Sequence, residues 1–239
     1  MGKLFNLDSP VFSFLNKAAD LIWLNILTFI CCVPIFTIGA SMTALNYVVL
    51  KMVRNEEGYI TRAFFKSFKQ NFKQATIIWL IELAVIAVLA GDFYILRYAL
   101  FDFPTWIKVA LLAVVVLFLI SVMHLFPALA KFDNTIKNTI KNSFLMGILS
   151  LPKTILMIFC WAAPVLIGLM VYQIMPLVFA FGISLPAYMC ALLYNKTFKR
   201  FEPEDEQAAD SEWTVFPEED RELASGISTV KKHNTEDEG

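Results

Sequence analysis

The sequence predicts an all-α, polytopic helical membrane protein with five or six membrane segments and two basic amphipathic interfacial helices. Of its 239 residues, 58% are hydrophobic and only 17% are charged, whereas soluble domains carry about 25% charged residues. Several uncharged stretches exceed the roughly 18 residues that can cross the hydrocarbon core of a bilayer. The composition therefore excludes an ordinary soluble globule and makes the lipid bilayer the first partner of this chain.

The charges divide the chain into two parts. Residues 1–201 hold 17 basic and 8 acidic residues, a net charge of +9, and the basic residues lie between the apolar stretches. Residues 202–239 hold 3 basic and 13 acidic residues, a net charge of -10, and contain no apolar stretch. We therefore expect a helical membrane domain over 1–201 and an acidic, disordered cytoplasmic tail over 202–239.

The first apolar stretch needs a break. Residues 21–50 are uncharged, and a helix of that length would measure roughly 45 Å, too long for one upright span and too short for two complete ones. Pro34 and Gly39 are the residues most able to interrupt it. They predict a helix over about 10–33, a bend, and a second helix over about 39–53.

The number of membrane segments depends on this break. Two helices in this region give six segments and place both termini in the cytoplasm. A single tilted span over residues 21–50 gives five segments and moves the N-terminus outside. Lys3 and Lys17 favour six segments, because cytoplasmic ends are rich in positive charge.

A basic segment follows the second helix. Residues 51–74 hold six basic residues, and Phe64, Phe68 and Phe72 recur every four residues with lysines on the other side. This pattern is typical of a helix that lies in the lipid interface. Its positive charge predicts a cytoplasmic position.

Residues 131–153 repeat this design. Thr135-Ile136-Lys137-Asn138 is followed directly by Thr139-Ile140-Lys141-Asn142, which places apolar residues every four positions. A second basic interfacial helix is therefore predicted on the cytoplasmic side. The apolar face would consist of Phe132, Ile136, Ile140 and Phe144.

The remaining apolar stretches predict four spans. The turn near Gln173 carries no positive charge and should face outward, and the chain returns to the cytoplasm at Lys196. A multi-pass protein with a cytoplasmic C-terminus is expected. The predicted spans cover residues 75–96, 105–130, 154–172 and 174–194.

Two ionisable residues lie inside predicted spans. Glu82 is roughly 10 Å from the cytoplasmic end of its span, and His124 is roughly 9 Å from the cytoplasmic end of the next, antiparallel span. An ionisable group at the centre of a span costs about 2.5 to 3.5 kcal/mol on insertion scales, so each needs a partner. We therefore predict a Glu82–His124 polar pair, which either fixes helix packing or acts as a proton or cation relay.

The sequence does not predict an enzyme. It lacks a phosphate loop, a nucleophile beside a base, and a metal-type spacing of ligands. Its cysteines lie in apolar stretches, where they act as small packing residues. No catalytic residue, cofactor, metal or nucleic-acid partner is predicted, and the oligomeric state is not indicated. The cysteines are Cys31, Cys32, Cys160 and Cys190.

The first 80 residues carry a family resemblance. They resemble the YesL family, bacterial integral membrane proteins that form a domain of unknown function, and the rest of the membrane domain is similar in layout. The acidic tail is not part of that pattern. The residues that carry the resemblance are Asp20-Leu21, Leu24-Asn25, the stretch Cys31 to Ala40, Thr43-Ala44-Leu45, Phe65, Phe68 and the stretch Asn71 to Thr76.

The resemblance implies a protein of the bacterial cytoplasmic membrane, encoded beside carbohydrate ABC transporter and sugar-sensing genes. It brings no catalytic residues. The expected function is therefore that of an accessory or regulatory partner of a carbohydrate ABC transport system, with ABC transporter subunits as partners. The alternatives are a small secondary transporter or channel, in which Glu82 and His124 line a proton or solute path, and a structural assembly factor.

Overall fold

The computed structural model of this protein describes residues 10–56, 58–98, 103–132, 134–171, 173 and 175–198. Side chains are described from residue 14 onward. The predicted acidic tail, 202–239, and part of the loop before the fourth helix lie outside the described residues.

Every regular element in the described ranges is a helix. Five of them, α1 to α4 and α6, are long and apolar enough to cross a membrane, and α7 and α8 together make a sixth if the bent pair is one span. This confirms the predicted all-α polytopic class and its five or six segments. The helices are α1 (Pro10–Cys32), α2 (Ile38–Arg54), α3 (Ile60–Tyr98), α4 (Thr105–Lys131), α5 (Ile136–Leu149), α6 (Leu151–Met170), α7 (Met175–Phe181) and α8 (Ser184–Phe198).

The first two helices form an antiparallel hairpin. At the open end, Lys17 Nζ donates to Asn55 Oδ1 at 3.3 Å; near the closed end, Ser41 Oγ donates to the carbonyl oxygen of Thr28 at 3.1 Å. The interpretation of residues 21–50 as one tilted span is therefore wrong. Since the chain turns back, Lys17 and Asn55 lie on the same side of the molecule.

α3 is longer than the sequence predicts. It runs unbroken through 39 residues, which is roughly 58 Å at 1.5 Å per residue. The predicted interfacial helix and the predicted span over 75–96 are therefore parts of one helix. The prediction of a separate interfacial helix in this region is wrong.

The phenylalanine face of α3 contacts protein rather than lipid. Phe64 is fully buried in a core cluster with Leu45 and Val49 of α2, and Phe68 and Phe72 continue the same stack with ring centroids 5.5 to 6.2 Å apart. A spacing of four residues marks one face of a helix but does not say what covers it. The pattern located this face correctly and assigned it the wrong neighbour.

α5 also packs on protein. Ile136 and Ile140 contact a second core cluster that includes Leu125 and Leu129 of α4. Of the other two residues of the predicted face, Phe132 lies outside α5, at the end of α4 against the main core, and Phe144 is exposed. The second basic helix thus exists as a separate element, and its apolar face lies mainly against α4.

The predicted span over 174–194 is broken. α7 ends at Phe181, α8 begins at Ser184, and the two helix axes differ by 50°. α8 then packs beside α2 and α6, with Tyr194 and Phe198 buried in the main core.

Candidate functional site

Asn25 of α1 closes the break between α7 and α8. Its Oδ1 accepts hydrogen bonds from the backbone N–H groups of Ile183 at 3.1 Å and Ser184 at 3.0 Å. Its Nδ2 donates to the carbonyl oxygen of Phe179 at 2.7 Å. A helix break leaves backbone groups without intrahelical partners, and in lipid these are costly. One fully buried side chain therefore satisfies three backbone groups.

This role of Asn25 was missed from the sequence, where Asn25 served only as a residue of the family resemblance. The available signal was the polar amide of Asn25 inside a 30-residue uncharged stretch, where a side chain of this kind needs hydrogen-bond partners. The location of its partners, more than 150 residues away, could not be read from it.

The turn between α1 and α2 is held in a similar way. Pro34 lies in an extended conformation after the end of α1, and a 3₁₀ turn over Ile35–Thr37 leads into α2. Thr37 Oγ1 has two carbonyl acceptors, Cys31 at 2.6 Å and Pro34 at 2.7 Å. Trp79 Nε1 of α3 donates to the carbonyl oxygen of Ile35 at 2.8 Å, which fixes the turn against α3.

Gly39 lies just after this turn, in the first turn of α2. Its φ angle is not positive, so the backbone does not need glycine for its conformation. A Cβ at this position would lie 2.5 Å from the carbonyl oxygen of Ala75 and 2.7 Å from Trp79 Cβ. Gly39 is therefore a point at which α2 and α3 approach closely.

Glu82 is buried on the packed face of α3. It follows Ala75 and Ile78 at spacings of i, i+3 and i+7, and these two residues belong to the core cluster between α2, α3 and α4. Its side chain is 4% exposed, and neither carboxylate oxygen has a hydrogen-bond partner among the described residues.

His124 has a different partner from the predicted one. Its Nε2 lies 2.9 Å from Thr154 Oγ1 of α6, and its Nδ1 has no hydrogen-bond partner in the described ranges. Thr154 Oγ1 can donate to the carbonyl oxygen of Ser150 at 3.2 Å. That leaves the hydroxyl free to accept from Nε2–H, which favours the tautomer with a bare Nδ1.

The predicted Glu82–His124 hydrogen bond is therefore not formed. Both residues are buried, but His124 faces α5 and α6, where its ring lies near Gly147. Glu82 follows the α3 face that packs against α2 and α4. Equal depth in neighbouring spans does not fix the direction in which two side chains point.

In the described part of the chain, no group of three His, Cys, Asp or Glu side chains could hold a metal ion. The geometry instead gives two closed helix breaks and the separately buried side chains of Glu82 and His124. This arrangement defines a polytopic helical membrane protein in which Asn25 and His124 form hydrogen bonds between helices, whereas Glu82 forms none with the described residues.

Comparison with known proteins gives one family match. The model of the family described as "Protein of unknown function, DUF624" matches residues 21–93, which extend from the apolar part of α1 into α3. The match covers the second half of α1, all of α2, both sides of the Gly39 contact, and Glu82. It is consistent with the resemblance to the YesL family. Neither a curated protein nor a solved structure matches this chain.

Proposed function

We propose that this chain is a non-enzymatic protein of the bacterial cytoplasmic membrane that serves as an accessory or regulatory partner of a carbohydrate ABC transport system. The link to ABC transporters comes from the YesL resemblance. One observation favours a partner protein over a transporter: the backbone groups at the α7–α8 break already have hydrogen-bond partners. Broken helices in transporters offer their free backbone groups to the solute, whereas here Asn25 already occupies three of them.

Co-purification tests this proposal. The tagged full chain is extracted with a mild detergent from native membranes after brief cross-linking, and co-purifying proteins are quantified. The expected result is stoichiometric recovery of permease and ATPase subunits of a carbohydrate ABC transporter. An unrelated polytopic protein with the same tag and expression level is the control. Equal recovery with both baits, or neither transporter subunit with either bait, contradicts the accessory role.

The alternative, a small secondary transporter or channel, is favoured by Glu82 alone. An ionisable group inside a span is a candidate for a proton or ion path, and this carboxylate has no hydrogen-bond partner in the described chain. The test is proton flux into proteoliposomes that contain the purified protein and an internal pH dye. This alternative requires flux that Glu82→Gln abolishes and Asn71→Ala leaves intact, because the hydrogen bonds of Asn71 with the described residues stay within its own helix.

A further inference from the structure

A cationic groove runs along the N-terminal part of α3. Its volume is about 470 Å³, and it is open to the surface along its length. Arg62, Lys66 and Lys69 follow each other at i, i+4 and i+7, which places all three on one face of the helix. They are exposed and contact no carboxylate in the described part of the chain. The groove is lined by Tyr59, Thr61, Arg62, Phe65, Lys66 and Lys69.

An apolar ridge lies beside this groove. Four residues of α1 and the following turn, spaced at i, i+3, i+7 and i+10, are between 42% and 79% exposed. Trp23 joins the ridge to the groove, because its Nε1 donates to Thr61 Oγ1 at 2.9 Å. The groove and the ridge therefore form one continuous surface. It is cationic on the α3 side and apolar on the α1 side. The ridge consists of Trp23, Ile26, Ile30 and Val33.

The contacts between α1 and α3 place the groove at the start of the ridge. Trp23 is bonded to Thr61, and Ile35, two residues after Val33, is bonded to Trp79. The ridge therefore lies beside residues 61–79 of α3, and the three cations are level with its first half. The aromatic rings of Trp23, Tyr59 and Phe65 beside the cations are typical of the headgroup level.

We propose that the groove and the ridge together bind one anionic phospholipid. Its phosphate group lies among Arg62, Lys66 and Lys69, and its acyl chains follow the ridge on α1. Arg62 offers a planar fork that matches two phosphate oxygens, and the lysines add positive charge. A free phosphate ion or an acidic peptide would satisfy the cations but would leave the ridge uncovered. The fit to both surfaces therefore selects a lipid.

Native mass spectrometry of the purified full chain tests the headgroup. Phosphatidylglycerol and phosphatidylcholine with identical acyl chains are added separately, and the bound fraction is measured. We expect one phosphatidylglycerol to bind preferentially, and Arg62→Gln/Lys66→Gln to weaken it roughly 30-fold, the loss expected for two cations near a lipid surface. Lys137→Gln/Lys141→Gln, which removes the same charge from exposed positions on α5, should change binding less than threefold.

Tryptophan quenching tests the ridge. In nanodiscs, the emission lost on Trp23→Phe substitution isolates the Trp23 signal. Phosphatidylglycerol brominated in its acyl chains should quench that signal more strongly than brominated phosphatidylcholine at the same mole fraction. The difference should disappear in Arg62→Gln/Lys66→Gln and persist in Lys137→Gln/Lys141→Gln.

Three outcomes would overturn the proposal. Equal losses of phosphatidylglycerol in the two double variants would show that binding follows total charge and not this groove. Displacement of the lipid by millimolar inorganic phosphate would show that the ridge contributes nothing. A carbodiimide cross-link between Lys66 or Lys69 and a carboxylate of residues 202–239 that persists with added phosphatidylglycerol would assign the groove to the acidic tail.

Discussion

Asn25, Glu82 and His124 are all buried in the membrane domain, and their hydrogen bonds separate their roles. Asn25 makes three bonds to backbone groups, His124 makes one to Thr154, and Glu82 makes none with the described residues. A buried polar group that loses its partner costs about 1 to 3 kcal/mol. Substitution should therefore be costly at Asn25, moderate at His124 and favourable at Glu82.

Glu82→Leu should raise the free energy of unfolding by about 1 to 3 kcal/mol, because it removes a buried carboxylate without stranding a partner. Thermal unfolding in detergent, compared with wild type, measures the change. Glu82→Gln is the control, since it keeps a polar group of the same shape and should give a smaller gain. A clear loss of stability in Glu82→Leu would mean that the carboxylate has a partner.

The His124–Thr154 contact should show energetic coupling. A double-mutant cycle with His124→Leu and Thr154→Val should give about 0.6 kcal/mol, the average for hydrogen bonds between membrane helices, and at most about 1.7 kcal/mol, the largest such value. The matched cycle with Glu82→Leu and His124→Leu should be additive within about 0.5 kcal/mol, because no hydrogen bond joins that pair. Coupling in the second cycle and additivity in the first would restore the predicted Glu82–His124 pair.

The sequence located both ionisable residues inside spans, because hydropathy and the position of lysines fix depth. It could not supply their neighbours. A helix places side chains at 100° intervals, so one residue of offset between two helices turns a side chain away from its expected partner. The same limit hid the partners of Asn25.

At the scale of the elements, small residues and helix breaks set the packing. α2 meets α3 over Gly39, and α5 meets α4 over Gly147, where a Cβ would lie 2.5 Å from Ile120 Cγ2. Small residues permit such close approach in membrane proteins, where dispersion contacts replace a hydrophobic drive between helices. The absence of a side chain at Gly39 and Gly147 therefore allows each pair of helices to pack at short distance.

Gly39→Val should lower folded yield and stability sharply. The added atoms would meet the backbone of Ala75 and Trp79 Cβ, and overpacking of this kind costs about 1 to 3 kcal/mol. Monodisperse yield on size exclusion and the unfolding midpoint in detergent are the measurements. Gly168→Val is the control, because the nearest atom to a Cβ there is 3.7 Å away. Equal tolerance at the two sites would contradict the close contact.

Asn25→Leu should be among the most damaging substitutions in the chain. It keeps the size of the side chain but strands three backbone groups at the α7–α8 break, each at a cost of about 1 to 3 kcal/mol. Limited proteolysis and thermal unfolding in detergent test this. Asn71→Ala, which removes only a bond within its own helix, should change stability by less than about 1 kcal/mol. Similar stability of the two variants would show that the break does not depend on Asn25.

The two breaks differ in how visible they are in the sequence. Pro34 predicts the end of α1 from the sequence, since proline has no N–H with which to continue the helix. The break before α8 lies at Gly182 inside an apolar stretch, where Gly182, Ser184 and Pro186 are weaker signals than the apolar length of the segment. Hydropathy measures the total apolar length of a segment and is blind to a bend that tertiary contacts stabilise.

At the scale of the whole molecule, the hairpin fixes the relative sides of the helices. Lys17 and Asn55 meet at its open end, so the beginning of α1 and the end of α2 share one side. The basic residues at the start of α3 come directly after the end of α2 in the chain, and α5 is also basic. Positive charge of this kind favours the cytoplasmic side. Two helices over residues 21–50 agree with this geometry, and the candidate spans then number five, or six if the bent α7–α8 pair is one span.

Cysteine labelling tests the side. In a background with Cys31, Cys32, Cys160 and Cys190 replaced by alanine, Lys66→Cys and Lys137→Cys should resist a membrane-impermeant thiol reagent in intact cells and react after permeabilisation. Met170→Cys, highly exposed at the far end of α6, should react in intact cells. The reverse pattern would invert the topology.

The bonds of Asn25 to α7 and α8 also set an order of events during synthesis. Asn25 and Ile183 are 158 residues apart, and at 5 to 20 residues per second the ribosome needs roughly 8 to 30 s to make that stretch. Throughout this interval α1 sits in the bilayer with an amide whose final partners do not yet exist. Completion of the fold therefore waits for the last helices, and a chain arrested before them keeps an unsatisfied polar group by which quality-control proteases can distinguish it from the finished protein.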